Sequence, residues 1–150
     1  MAISGEERFD VIVVGAGNAA MCAALAAREE GARVLVLEKA TYEERGGNSA
    51  YSGGLFEFGH QGLEDVIPLV PDLTPAEVER LDMVPYTADT YYDSLIRISE
   101  EHADPDLCRV LADQSYDTLR WMQGLGVRFE LYQRAPRRDG RTTFLPGNEL

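Results

Sequence analysis

Three small residues near the amino terminus have a spacing that suits the binding of an anionic group. Gly15, Gly17 and Ala20 form a G-x-G-x-x-A pattern. The first glycine allows a sharp turn, the second removes a Cβ that would hold a diphosphate away from the backbone, and the small third residue allows close packing of helix on sheet. Glu38 lies 23 positions after Gly15 (38 − 15), where a carboxylate can accept hydrogen bonds from ribose hydroxyls. The pattern therefore predicts a dinucleotide site.

The residues around this pattern predict the elements that position it. Apolar, β-branched runs at residues 11–14 and 34–37 predict two strands, and small helix formers at residues 21–28 predict a helix that Gly31 ends. The N–H groups and positive dipole end at residues 18–21 should then face an anion. A 2′-phosphate would meet the like charge of Glu38, which disfavours an NADP-type ligand. A glycine turn that binds no ligand is the alternative.

A second glycine-rich segment occupies residues 46–54, with the sequence GGNSAYSGG. Four glycines in nine positions, mixed with Asn and Ser, allow the main chain to come very close to another group. Packing alone seldom requires so many glycines, so the segment is a second candidate for contact with a ligand. An ordinary surface loop is the alternative.

Composition limits the class of protein. With 150 residues, 45% of them hydrophobic, the chain is one domain in size and can bury a core. Its net charge of −12 argues against nucleic acid or an anionic membrane as a partner. Cys22 and Cys108 are far apart and are expected to be reduced thiols, and no Cys/His cluster predicts a metal site. No run approaches the ~18 apolar residues of a membrane helix and no signal peptide is evident, which favours a cytoplasmic protein.

The rest of the chain predicts a mostly helical region. Thr74, Pro75 and Glu77 form a capping box that starts a short helix, helical spacing recurs within residues 86–102, and Asp104-Pro105 starts a long helix that Gly124 or Gly126 ends. The predicted apolar face of the long helix consists of Leu107, Val110, Leu111, Leu119 and Met122. Residues 55–58 and 127–131 are strand-like, and residues 134–150 are expected to form a loop without periodicity.

Taken together, the glycine pattern, Glu38-Lys39 and the GGNSAYSGG segment resemble the FAD-dependent oxidoreductase family of the fumarate reductase and succinate dehydrogenase flavoproteins. Two stretches, ERGGNSAYSGG and DPDLCRVLADQSYDTLRWMQGLGVRF, are similar to its tricarballylate dehydrogenase branch, with ketosteroid dehydrogenases as more distant relatives. The resemblance extends from Phe9 to about Phe129. It implies FAD as the cofactor, and an NAD enzyme would give no reason for the second glycine segment.

The resemblance also implies which residues contact FAD. The diphosphate would be held by Gly15, Ala16, Gly17, Asn18, Ala19 and Ala20, and the ribose by Glu38 with Lys39 alongside. The second segment would run past the diphosphate toward the isoalloxazine ring through Gly46, Gly47, Asn48, Ser49, Ser52, Gly53 and Gly54. Family members that bind flavin covalently have a histidine near the position of Gly47, and because this chain has none there we expect non-covalent FAD.

Family members are much longer, with a substrate-capping domain and a closing FAD segment. The catalytic arginine and the residues that grip substrate carboxylates belong to those parts, so no catalytic residue is assigned here. A dinucleotide fold also needs a third parallel strand from a later crossover. We therefore expect residues 1–150 to be the amino-terminal part of an FAD-binding domain, with a dinucleotide-binding core at residues 9–60 and a helical region at residues 74–131.

The predicted fold class is α/β: a Rossmann-type FAD-binding βαβ unit followed by a mostly helical region, as an incomplete domain. The predicted function of the full protein is a dehydrogenase or reductase of a carbon–carbon bond in a small carboxylate, with hydride passing to or from flavin N5. The electron acceptor or donor is not identified, and the chain alone is expected to be inactive. Two alternatives are an inactive nucleotide-binding remnant and a piece of an NAD-binding dehydrogenase.

Overall fold

The computed structural model describes residues 7–131, 137–138 and 141–144, the last two stretches as backbone only. The chain divides into two compact units, Met1–Gly54 and Leu55–Leu150.

The first unit contains a strand–helix–strand arrangement. Strand β1 (Val11–Val14) pairs in parallel with strand β2 (Val34–Leu37), in a register that runs from Val11 opposite Val34 to Val14 opposite Leu37. Helix α1 (Asn18–Glu29) connects the two strands and packs on both of them. The predicted strands, the helix and the α/β class are confirmed.

Side chains of β1 alternate between two environments, as a strand requires. Val13 is buried, whereas Ile12 and Val14 on the opposite face are exposed. Helix α1 ends where predicted, at Gly31, whose φ of 83° lies in the left-handed region. Two hydrogen bonds close this end, from Gly31 N–H to the Arg28 carbonyl and from Ala32 N–H to the Ala27 carbonyl, which together form a Schellman motif.

The second unit is mostly helical. Short helices α2 (Leu63–Val66) and α3 (Pro75–Val78) precede strand β3 (Leu81–Met83), and longer helices α4 (Ala88–Ile98) and α5 (Pro105–Gly124) follow and pack on each other. Short 3₁₀ helices occupy Gly47–Tyr51 in the first unit and Ile67–Leu69 in the second.

The predicted helix starts in this unit are confirmed in detail. Thr74 accepts a hydrogen bond from the Glu77 N–H and the Glu77 carboxylate accepts from the Thr74 N–H, so the capping box is complete. Asp104 caps α5 by accepting from the N–H groups of residues 106 and 107, with Pro105 at the first helical position. The sequence alone indicated both starts because every participating residue lies within three positions of the cap.

The prediction of strands at residues 55–58 and 127–131 is wrong. Both segments are irregular, although each contributes a buried phenylalanine, Phe58 and Phe129, to the main core of this unit. Phe56 packs edge-on against Phe129, with ring centroids 5.5 Å apart. These apolar residues are therefore used for side-chain packing rather than for a backbone ladder, and a short apolar run does not distinguish the two uses.

The prediction of an irregular loop at residues 134–150 is also wrong where the backbone is described. Strand β4 (Arg137–Arg138) and strand β5 (Arg141–Phe144) form an antiparallel pair, and β5 pairs in parallel with β3. The sequence between β4 and β5 is Asp139-Gly140, a dipeptide typical of two-residue hairpins. That local signal was available, whereas the pairing with β3 spans some sixty residues and was not predictable from spacing.

Only part of the predicted apolar face of α5 is buried. Leu119 is buried, but Leu107, Val110 and Leu111 are exposed. The buried residues of the helix are Cys108, Ala112, Ser115 and Leu119. A Cβ on Gly59 would lie 3.1 Å from the backbone nitrogen of Ala88 and 3.5 Å from the Ala112 carbonyl oxygen. The backbone at Gly59 therefore passes so close to α4 and α5 that only small side chains fit between them.

Candidate functional site

The glycine turn that follows β1 is tied to the end of β2. Gly15, with φ of 107°, donates its N–H to the Leu37 carbonyl at 2.6 Å. Such a φ is in the region that favours glycine, which explains the residue type at the first position of the pattern. A Cβ on Gly15 would lie 3.9 Å from the Cβ of Ala20, so the first and third positions of the pattern face each other.

The side chain of Glu38 folds back onto this turn. One carboxylate oxygen accepts a hydrogen bond from the Ala16 N–H at 2.9 Å, and the other accepts from the Ala40 N–H at 2.9 Å. These hydrogen bonds, that of Ala40 first, lower the pKa of Glu38 below its ordinary value of 4.5. Glu38 is therefore an anion at neutral pH. Because each carboxylate oxygen has two lone pairs, acceptor capacity remains for the hydroxyls of a sugar.

The amino terminus of α1 is capped by the second glycine segment. Gly17 is the N-cap residue and has no side chain to offer, and the Asn18 N–H instead donates to Ser49 Oγ at 3.0 Å. The Met21 N–H donates to the Gly17 carbonyl at 3.0 Å. The expectation that all N–H groups of residues 18–21 face a ligand is therefore wrong for the first and last of them, which already have protein acceptors.

The two glycine segments lie in close contact at Gly17. A Cβ on Gly17 would lie 3.3 Å from the Gly46 carbonyl oxygen and 3.4 Å from Ser49 Oγ. Gly46 itself has φ of 104°, and a Cβ on it would lie 3.3 Å from the Cβ of Ala50 and 4.0 Å from the Ala16 carbonyl oxygen. The close approach of residues 46–49 therefore requires glycine at the second position of the pattern, whether or not a ligand binds there.

The remaining predicted site residues occupy the same unit. Ala19 and Ala20 lie in the first turn of α1, and Gly47, Asn48 and Ser49 lie in the 3₁₀ helix. Ser52 turns back on that helix, since its N–H and hydroxyl both donate to the Ser49 carbonyl. Gly53 and Gly54 continue beyond this turn, and a Cβ on Gly54 would meet nothing within 4 Å. Lys39 is exposed directly after Glu38.

The assembled geometry brings together three groups whose chemistry suits an anion and a sugar. It combines a glycine turn, the N-terminal end of a twelve-residue helix and an anionic carboxylate, all within residues 15–49. A helix N-terminus attracts a phosphate, and a carboxylate beside it accepts from ribose.

Comparison with known proteins shows the family of this chain. Residues 10–148 match the model of the family described as "FAD binding domain". The chain belongs to the FAD binding domain family. Membership confirms the prediction of FAD as the cofactor and of a place among flavin-dependent oxidoreductases, and it favours FAD over the NAD alternative.

Several curated relatives of this FAD binding domain are reductases by name. The chain is 30% identical over 132 residues to vinyl phenol reductase of Lactiplantibacillus plantarum, covering 87% of this chain and 23% of that protein. It is 29% identical to urocanate reductase of Eggerthella lenta (83% of this chain, 18% of that protein) and 25% identical to the cytochrome-type fumarate reductase of Shewanella frigidimarina (85% and 19%). The chain thus spans about a fifth of the length of these relatives.

Two other classes of feature are absent from the described part of the chain. Among residues 7–131, no three His, Cys, Asp or Glu side chains come together as metal ligands, and both cysteine thiols are free. No helix in the described ranges has the length and apolar character needed to cross a bilayer. His60 is buried in the second unit, where its backbone pairs with that of Tyr86.

Sequence reasoning missed several parts of this site. It did not anticipate that Ala40 donates to Glu38, that Ser49 caps α1, or that Arg45 stacks on Tyr42 with its guanidinium carbon 3.7 Å from the ring centre. The Ser49 contact crosses 31 positions and carries no local signal. The Tyr42 and Arg45 pair does carry one, because an aromatic and an arginine three positions apart can meet in a tight turn.

Proposed function

We propose that this chain holds FAD at the glycine turn, as the FAD-binding segment of a dehydrogenase or reductase acting on a carbon–carbon bond beside a carboxylate or carbonyl. The observation that supports it most directly is the convergence of the glycine turn, Glu38 and Ser49 around the N-terminus of α1. A parallel strand pair joined through a glycine turn and a helix supports a Rossmann-type fold for this unit.

The diphosphate is proposed to lie over the first turn of α1. Because the N–H groups of Asn18 and Met21 already have acceptors in the protein, Ala19 and Ala20 are the donors that we assign to phosphate oxygens. We propose that the Ser49 hydroxyl also contacts the diphosphate. Its Oγ accepts from Asn18, so its own hydroxyl hydrogen is available to donate toward a phosphate oxygen.

The ribose of the adenosine half is proposed to bind at Glu38. Its carboxylate is charged and fixed by two backbone donors, so little conformational freedom is lost when sugar hydroxyls bind. Lys39 follows it at the exposed rim. For the other predicted contacts, we propose that the main chain lies along the cofactor. These contacts are residues 15–17, 46–48 and 52–54.

The cofactor is proposed to be held without a covalent bond, since residues 46–54 contain no histidine. FAD supplies the chemistry when bound, namely hydride transfer at its N5 atom, and the protein supplies orientation and electrostatics. The exposed Ile12 and Val14 on the open face of β1 support the proposal that further elements complete the domain, because parallel sheets are normally covered on both faces.

A small carboxylate, with a carbon–carbon bond that is reduced or dehydrogenated, is the proposed substrate class of the whole protein. Fumarate and urocanate reductases are among the relatives by name, and the tricarballylate dehydrogenase branch is our finer proposal from the sequence motifs. The electron donor or acceptor is not identified. The cytoplasm is the proposed location, residues 9–60 the dinucleotide-binding core and residues 74–131 the helical region.

The visible spectrum of the purified chain titrated with FAD tests this proposal. We expect flavin absorbance to remain with the protein through gel filtration and to separate from it after acid precipitation, as non-covalent binding requires. A colourless chain that still binds adenosine diphosphate would favour the nucleotide-binding remnant. A folded chain that binds neither compound would refute the proposal.

A further inference from the structure

An arginine–tyrosine stack lies in the turn that follows Glu38, residues 40–46. The Arg45 guanidinium carbon lies 3.7 Å from the centre of the Tyr42 ring. Arg45 also donates a hydrogen bond to the Tyr42 backbone carbonyl, so the pair is closed on itself. Tyr42 nevertheless remains 75% exposed. One face of a fixed aromatic ring is therefore open to solvent.

Both ends of this turn are anchored at the proposed sugar site. At its start, the Ala40 N–H donates to Glu38. At its end, Gly46 lies beside the glycine turn, since a Cβ on Gly46 would be 4.0 Å from the Ala16 carbonyl oxygen. Ala16 is also the residue whose N–H donates to Glu38. The turn is also closed within itself by a hydrogen bond from the Glu44 N–H to the Thr41 carbonyl. Tyr42 and Arg45 therefore lie in a short turn whose two ends contact Glu38 and the glycine turn.

We propose that the open face of Tyr42, backed by Arg45, stacks against the adenine ring of the bound dinucleotide. This inference rests on the proposed binding of FAD at Glu38. Adenine is attached to the same ribose that Glu38 would bind, so it must lie within one sugar of that carboxylate. A purine is flat and apolar on its faces, and an aromatic ring supported by a guanidinium is a suitable surface for it.

The Arg45 contact gives the tyrosine a property that an isolated surface tyrosine lacks. The cation fixes the ring orientation before the ligand arrives, so less side-chain freedom is lost on binding. The planar guanidinium also extends the stacked surface, which a lysine ammonium would not do. The pair thus selects for a nucleotide base and favours FAD over FMN, which has no adenine.

Adenosine diphosphate is the appropriate probe, because it contains the base, the ribose and the diphosphate but no flavin. We would measure its dissociation constant by isothermal titration calorimetry for the wild-type chain and for Tyr42→Ala, Tyr42→Phe and Arg45→Ala. Tyr42→Ala should weaken binding about tenfold, the order expected for loss of one base–aromatic stack. Tyr42→Phe should bind like wild type, and Arg45→Ala should fall between.

Arg33→Ala is the matched control. Arg33 also stacks on an aromatic ring, with its guanidinium carbon 5.6 Å from the centre of Phe9, but Phe9 and Arg33 precede β1 and β2 and so lie at the opposite end of the strands from Glu38. Its removal should leave the affinity for adenosine diphosphate unchanged. Equal losses of affinity for adenosine diphosphate in Arg33→Ala and Tyr42→Ala would refute the proposal that Tyr42 stacks on adenine.

A measurement on the wild-type chain makes the test independent of any variant. Nuclear Overhauser contacts between adenine protons and the Tyr42 ring should be present in the complex. Their absence, or wild-type affinity in Tyr42→Ala, would refute the adenine site while leaving FAD binding intact. If the folded wild-type chain binds neither adenosine diphosphate nor FAD, both proposals fail.

Discussion

The carboxylate of Glu38 accepts a hydrogen bond from the backbone N–H of Ala16 at 2.9 Å, across 22 positions of sequence. This bond joins the two halves of the candidate site, because Ala16 belongs to the turn proposed for the diphosphate and Glu38 is the residue proposed for the ribose. The acid fixes the glycine turn through one oxygen, and its proposed second role is to present charged acceptors to a sugar.

Glu38→Gln should weaken adenosine diphosphate and FAD binding by about tenfold or more. A glutamine amide has one oxygen and one NH₂ group, so it can serve only one of the N–H groups of Ala16 and Ala40 and is a weaker acceptor for a hydroxyl. Calorimetric titration measures the loss. Glu44→Gln removes the same charge from the neighbouring turn and should change the affinity by less than about twofold. Similar effects of both variants would show that the negative charge matters and the specific contact does not.

The stability of the first unit should depend on pH through Glu38. Backbone hydrogen bonds lower its folded-state pKa below the ordinary value of 4.5. A lowered pKa means that the folded state favours the carboxylate, so the stabilisation is complete above pH 4.5 and is lost as the pH falls through the folded-state value. Melting temperatures measured from neutral pH downward should therefore fall less steeply for Glu38→Gln than for wild type. Parallel curves would contradict this role of Glu38.

Gly17→Ala should push the two glycine segments apart. The new Cβ would lie 3.3 Å from the Gly46 carbonyl oxygen and 3.4 Å from Ser49 Oγ, so backbone must shift by a few tenths of an ångström. We expect a loss of unfolding free energy of about 1–3 kcal/mol, as for overpacking elsewhere, together with weaker FAD binding. Denaturant unfolding and flavin titration measure the two effects.

Gly124→Ala is the control for that variant. A Cβ on Gly124 would meet nothing within 4 Å, and the residue ends helix α5. The change should be neutral or stabilising by up to about 1 kcal/mol. A Gly17→Ala chain as stable as this control would show that the segments are not in the close contact described.

Ser115→Ala should destabilise the second unit by about 1–3 kcal/mol. Ser115 Oγ is buried, accepts from the Gly59 N–H at 2.9 Å and donates to the Ala112 carbonyl at 2.9 Å. Removal of the hydroxyl deprives the Gly59 N–H of this acceptor at a place that is closely packed. Urea unfolding monitored through Trp121 fluorescence measures the change.

Thr118→Ala provides the comparison on the same helix. The Thr118 hydroxyl is exposed and donates to the Gln114 carbonyl at 2.8 Å, a bond whose loss leaves only groups that water can reach. Its substitution should change the unfolding free energy by less than about 0.5 kcal/mol. If Ser115→Ala were equally mild, the link between Gly59 and α5 would contribute nothing to stability.

The sequence by itself determined the elements whose causes are local. The two strands, helix α1, the turn at Gly15 and the caps at Thr74 and Asp104 were predictable, since each depends on residues within a few positions of one another. The proposed dinucleotide site rests on local signals for the same reason, because the glycine pattern and Glu38 occupy the ends of adjacent elements.

Only the tertiary structure decided which groups meet across long separations. The cap of α1 by Ser49, the pairing of β3 with β5 and the burial of Ala112 and Ser115 instead of Leu111 depend on how segments far apart in sequence approach each other. Hydrophobic periodicity cannot rank two faces of one helix when a close approach admits only small side chains. The sequence placed the candidate binding groups along the chain, and packing decided that the Asn18 N–H has Ser49 as its acceptor.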